Sequence, residues 1–190
     1  LENYRHTKAA PWVKSYKWPI MFFVAVAFWN LLGAGVFGFL INPPISLYYI
    51  QGLNTTANHA HAALFGVYGM LGIGLMLFCL RSLAPRFAWS DRLLAATFWS
   101  LNAGLAMMLF LSLLPVGVVQ AYHSIKTGMW YARSPEVIHS PLVETLVWMR
   151  VPGDVVFSLG ALTLAIFAAR LVLGVGKRRA TPVAAPQPAE

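Results

Sequence analysis

Charge is scarce in this sequence. Only 11% of its 190 residues are charged, with six acidic side chains against fourteen basic ones; a soluble domain carries about 25%. So few charges cannot cover a water-facing surface, which excludes a water-soluble globular domain. Cysteine is nearly absent as well. Cys79 stands alone within Leu77-Phe78-Cys79-Leu80, so no internal disulfide is possible and the redox compartment stays unread. An isolated thiol in an apolar run behaves as a small apolar side chain. No repeat with a period of about 20–50 residues is visible. The chain also lacks an initiator Met or a leader pattern: Leu1 and Glu2 open a polar, basic start. This leads to the expectation that it is a portion of a longer polypeptide.

Long apolar runs are what the sequence has instead. Hydrophobic residues make up 58% of the chain and aromatics 14%. About 20 apolar residues span a bilayer core as a helix, and four stretches reach that length. The first runs from Trp18 to Ile41 without a charge, and the second from Thr55 to Arg81. The third runs from Leu93 to about Tyr122, with Pro115 expected to kink it. The fourth begins after Pro141, is uninterruptedly apolar from Val155 to Ala169 and continues past Arg170 to Val175. The expected fold is all-α and membrane-integral, with a basic arm at 1–17, a four-helix transmembrane segment at 18–176 and a tail at 177–190. From Ala180 onward that tail is rich in Ala and Pro, a composition that forms no packed element and is read as disordered.

The net charge of +8 raises the question of nucleic acid, and its distribution answers it. Arg5, Lys8, Lys14 and Lys17 precede the first helix; Arg81, Arg86 and Arg92 separate the second from the third; Arg170, Lys177, Arg178 and Arg179 close the chain. The opposite side holds only Lys126, Arg133 and Arg150. Cytoplasmic loops carry the excess of Lys and Arg, so both termini are assigned to the cytoplasm and the basic charge reports topology, not nucleic acid. Trp12, Trp18, Tyr48, Tyr49, Trp89, Trp130, Tyr131 and Trp148 gather at the expected helix ends, as an interfacial aromatic belt would.

Gly33-Ala34-Gly35-Val36-Phe37-Gly38 matches the dinucleotide fingerprint letter for letter. That fingerprint needs a strand before it and a helix opening after it. Here the glycines lie inside an apolar helix, where they permit close helix packing, against a neighbour or a second copy of the chain. Asn54-Thr55-Thr56 is a formal glycosylation triplet too short to carry weight. The segment from Asn42 to Asn54, with Pro43, Pro44, Tyr48 and Tyr49, is expected as an outer loop, either a connector or a cap over a cofactor.

Asn58-His59-Ala60-His61 is the strongest local signal. Imidazoles within a membrane helix are costly and mark function by default. At about 100° per residue, side chains two apart point roughly 200° from each other, so His59 and His61 face opposite sides and do not converge on one metal ion. Each can instead hold a separate large cofactor on its own side, and haem is such a cofactor: its iron takes an axial His and its macrocycle is apolar. Both lie only ~6–9 Å beyond Thr55, near the outer face, where haem propionates would reach polar surroundings. The alternatives are histidines hydrogen-bonded to other helices, or lining a transport path. Asp154 is the only carboxylate in the uncharged core of the fourth helix, at a comparable depth, with Arg150 four residues earlier as an available partner. It reads either as a proton acceptor for a lipid-soluble reductant or as half of an anchoring ion pair. His123 and His139 are placed in the outer loop and His6 in the cytoplasmic arm, as exposed or hydrogen-bonded side chains.

Several stretches resemble the late helices of the nitric oxide reductase large subunit, within the haem–copper oxidase superfamily. They are Leu32-Gly33-Ala34-Gly35-Val36-Phe37-Gly38-Phe39, the pair Tyr48-Tyr49, and Thr56-Ala57-Asn58-His59-Ala60-His61-Ala62-Ala63-Leu64-Phe65-Gly66-Val67-Tyr68-Gly69. Met129-Trp130-Tyr131-Ala132-Arg133-Ser134 and Arg150-Val151-Pro152-Gly153-Asp154-Val155-Val156-Phe157 look more like the quinol-dependent branch than the cytochrome c-dependent one. The resemblance implies that His59 is the proximal ligand of a high-spin haem b at the catalytic site. It makes His61 one of two axial ligands of a low-spin haem b, and Asp154 a candidate quinol-site residue. It further implies a non-haem iron, held by three histidines and a glutamate of earlier helices, where two NO are coupled to nitrous oxide and water with two electrons and two protons. Nothing in this chain supplies those iron ligands or the second low-spin ligand, so the family pattern makes it the C-terminal portion of the enzyme. Its partners would be the N-terminal helices, quinol, nitric oxide and the lipid of a bacterial cytoplasmic membrane. The family usually shows Ala-His-Gly-His, whereas this chain has Asn58 before the pair and Ala60 within it. The rival readings are an oxygen-reducing oxidase of the same superfamily and a haem-free membrane scaffold or transporter bundle.

Overall fold

The computed structural model describes residues 11–83 and 89–174, and among them it contains helices and no strands. The helices are α1 (Pro11–Ser15), α2 (Lys17–Ile41), α3 (Pro44–Ile50), α4 (Asn54–Leu83), α5 (Asp91–Lys126), α6 (Pro135–Ile138), α7 (Pro141–Trp148) and α8 (Val151–Val172). A turn at Met149 and Arg150 joins α7 to α8. Four spans are long and apolar enough to cross a membrane: α2 with 25 residues, α4 with 30, α5 with 36, and α7 with α8 together with 32. At about 1.5 Å per residue each exceeds the ~30 Å hydrocarbon core. The fold is therefore the all-α membrane bundle the sequence predicts. Most of the basic arm (1–10), with His6, the loop residues 84–88 with Arg86, and the tail at 177–190 lie outside the described residues.

The core is built mainly by α2, α4 and α5. Trp18, Phe22, Trp29, Leu77, Leu94, Phe98, Leu101, Leu105 and Leu109 are buried together, with Phe22 edge-on to Phe98 at a centroid distance of 5.3 Å. Two indoles tie α2 to α5 through polar bonds. Trp18 Nε1 donates to Asp91 Oδ1 at 2.7 Å and Trp29 Nε1 donates to Asn102 Oδ1 at 2.8 Å. A buried indole N–H needs such a partner.

Glycines set how closely the helices approach. A Cβ on Gly33 would fall 2.7 Å from Ala62 Cβ, and one on Gly104 would fall 2.5 Å from the Phe157 backbone nitrogen. The fingerprint-like glycines thus lie within a helix, where Gly33 and Gly38 face α4. Asn30–Phe37, Ala62–Gly69 and Met108–Leu113 are π-helical stretches inside α2, α4 and α5. The last ends just before Pro115, whose ring collides with the carbonyl four residues back in a regular α-helix and which has no N–H to give. The irregularity expected at Pro115 is therefore these wider turns, after which α geometry resumes with Pro115 in its first turn.

Two expectations are corrected. The segment from Asn42 to Asn54 is not wholly a loop: Pro44–Ile50 is helical with Pro at its start. A proline there loses no hydrogen bond and is pre-set for helical φ. His123 belongs to the last turn of α5, which runs on to Lys126, and not to a loop.

Candidate functional site

Each histidine of the pair is fixed by a backbone carbonyl. His59 Nδ1 lies 2.8 Å from Gly33 O on α2, and His61 Nδ1 lies 2.9 Å from Ala57 O one turn earlier on its own helix. A carbonyl only accepts, so both bonds assign the proton to Nδ1 and leave the Nε2 lone pair as the ligating position. This is the arrangement by which metal-ligating histidines are oriented. Gly38 makes room for the His59 ring: a Cβ there would stand 3.1 Å from Cε1.

The two rings sit on different flanks of α4. His59 turns to α2. His61 turns to the start of α8, where Arg150 Nη2 donates to His61 Nε2 at 3.2 Å and Arg150 Nε donates to Asp154 Oδ1, also at 3.2 Å. The ion pair expected within the fourth span is present, half-exposed, and joins His61 through a guanidinium. His61, Arg150 and Asp154 are thus one cluster, with His59 apart from it. Phe65 extends the second flank, packing on the His61 ring at 5.7 Å and on Phe157 at 5.6 Å.

The remaining candidates lie elsewhere. His123 packs between Tyr122 and Tyr131 at 5.5 and 5.6 Å, and His139 Nδ1 pairs with Glu144 at 3.3 Å on an exposed surface. Among the described residues no three of His, Cys, Asp and Glu converge to cage a bare metal ion. The donor set suits haem: one imidazole per flank within an apolar span, with the Nε2 of His61 held by Arg150 in this structure.

The family model for cytochrome c and quinol oxidase polypeptide I matches residues 7–156. That span includes both histidines and the Arg150–Asp154 pair. The chain belongs to this family. Its members are haem-binding membrane oxidoreductases of the haem–copper oxidase superfamily, built as helical bundles. Within the family frame, the histidine pair lies at the α-to-π transition of α4, which becomes π-helical at Ala62; such stretches are frequent at functional sites.

Sequence reasoning missed three parts of the site: the Gly33 carbonyl, the space at Gly38 and the reach of Arg150 to His61. All three depend on pairing between helices, and none has a local signature.

Proposed function

We propose that this chain is the C-terminal, haem-ligating portion of a quinol-dependent nitric oxide reductase. The observation that carries the haem part is the pair of imidazoles on different flanks of α4, each with its Nδ1 fixed by a backbone carbonyl. The finer assignment is supported by the resemblance of the segment around His59 to the nitric oxide reductase large subunit, and of those around Met129 and Arg150 to its quinol-dependent branch. His59 would hold a high-spin haem b and His61 a low-spin haem b, whose irons, when bound, supply one-electron redox chemistry. The overall reaction is 2 NO + 2 e⁻ + 2 H⁺ → N₂O + H₂O, with a non-haem iron contributed by the N-terminal helices.

This chain's own residues have definable tasks. The carbonyls of Gly33 and Ala57 orient the rings. Asp154 would accept a quinol proton, with Arg150 donating a hydrogen bond to its carboxylate. Arg150 also donates to the Nε2 that an iron would take. Ligation at His61 therefore requires the guanidinium to withdraw from Nε2, with Asp154 keeping a hold on its Nε.

The test uses the full-length protein in bacterial membranes. A reduced-minus-oxidised spectrum with b-type haem bands, together with quinol-driven NO consumption, is expected. Absence of any b-type band would remove the reading. The family also includes oxygen reductases, and oxygen consumption without NO consumption would move the assignment to them.

A further inference from the structure

Beyond the histidine flanks, the inner seam between α4 and α5 carries polar groups that neither helix satisfies. The two helices run antiparallel in a fixed register. The Asn54 backbone N–H donates to Gln120 Oε1 at 2.9 Å, and a Cβ on Gly117 would stand 2.5 Å from the Thr55 nitrogen. One turn deeper, Asn58 is 1% exposed, and its Oδ1 has no hydrogen-bond partner; Thr55 Oγ1 is likewise enclosed and unpartnered. Residues three apart on a helix are neighbours, with Cβ atoms about 5–6 Å apart, so the two side chains start from adjacent positions on one face of α4. Ser112, also buried, lies within about 3 Å of the level of Asn58 along α5, by the antiparallel register and 1.5 Å per residue. It belongs to the π-helical stretch that the first turns of α4 touch.

An enclosed carbonyl-type oxygen in an apolar span is costly unless something donates to it. No donor among the described residues comes within hydrogen-bond distance of Asn58 Oδ1. Outward along the seam the polar row continues on α5 through Gln120 and Ser124, both buried. Ser124 then lines an outer pocket of about 640 Å³ together with Tyr48, Tyr49, Gln51, Lys126 and Trp130.

We infer that the α4–α5 seam holds an ordered water on Asn58 Oδ1 and Thr55 Oγ1, in exchange with the outer face along Gln120 and Ser124. A buried water needs two to four polar partners. The two oxygens provide acceptors for both of its protons, and the Ser112 hydroxyl is a third group at the same depth. The site sits on the strip of α4 between the two histidine flanks, immediately before His59 and three residues before His61. It brings an exchangeable solvent molecule within one helical turn of both imidazoles. The inference does not rest on the choice of NO over oxygen as substrate.

A structure of the whole wild-type enzyme at a resolution that shows waters is the direct test. A water within about 3.2 Å of both oxygens is expected; an empty seam, or either oxygen turned onto a protein donor, overturns the inference. Thermal unfolding of the holoenzyme gives a second reading through Asn58→Leu, Thr55→Val and the double variant. If one water serves both oxygens, each single change lowers the midpoint and the double change lowers it no further than the worse single one. A midpoint raised or unmoved by Asn58→Leu, or additive losses, would overturn it. The wild-type map decides alone if a variant does not accumulate.

Discussion

Arg150 and His61, 89 positions apart in sequence, meet at 3.2 Å between Nη2 and Nε2. The same guanidinium holds Asp154, so a carboxylate at the start of α8 is one side chain removed from a haem-ligand candidate on α4.

Replacing Asp154 with Asn in the full-length enzyme keeps a similar shape but removes the proton acceptor. Quinol-driven turnover should fall by roughly 10²-fold, at the lower end of what a positioned acid–base group contributes, while turnover with an artificial electron donor is spared. Equal losses with both donors would instead mark the Arg150–Asp154 pair as an anchor for the helix end.

His61→Ala removes the proposed low-spin haem ligand on the Arg150 flank and leaves His59 on its own. The low-spin haem band should disappear from the optical spectrum, with high-spin features kept. A normal low-spin spectrum in this variant would show that His61 is not the ligand.

Gly38 and Gly35 offer a paired comparison on one helix. A Cβ at Gly38 meets the His59 ring at 3.1 Å, whereas at Gly35 the nearest contact is 3.5 Å, to a backbone oxygen of the same helix. Gly38→Ala should crowd the ring, costing about 1–3 kcal/mol as overpacking does, and shift the His59-linked haem spectrum. Gly35→Ala should leave the spectrum unchanged. Matching spectra for the two variants would refute the role of Gly38 as the space for His59.

The α5–α8 contact rests on backbone proximity. A Cβ on Gly104 would lie 2.5 Å from the Phe157 nitrogen, and a Cβ on Gly153 would lie 2.7 Å from the Met108 nitrogen. Backbone cannot move aside as a side-chain tip can, so Gly104→Ala should reduce the fraction of protein that survives a heat challenge in detergent. Gly72 has nothing within 4 Å, and Gly72→Ala should be neutral or gain up to about 1 kcal/mol of helix propensity.

By itself the sequence determined the membrane class, the four spans and the opposed directions of His59 and His61. These follow from hydropathy and from the fixed rotation of a helix, both local properties of the chain. It also offered Arg150 to Asp154, because i and i+4 share a helix face. Where local cues misled, the reason was local too: Pro43-Pro44 reads as loop punctuation, yet Pro44 opens α3. Only the tertiary structure decided that Gly33 O fixes the His59 tautomer, that Gly38 clears its ring, that Arg150 reaches His61 and that Asn58 is sealed with an unpartnered oxygen. Each of those depends on the register between two helices, which is set by which glycines and side chains interlock across the interface and is written in neither helix alone.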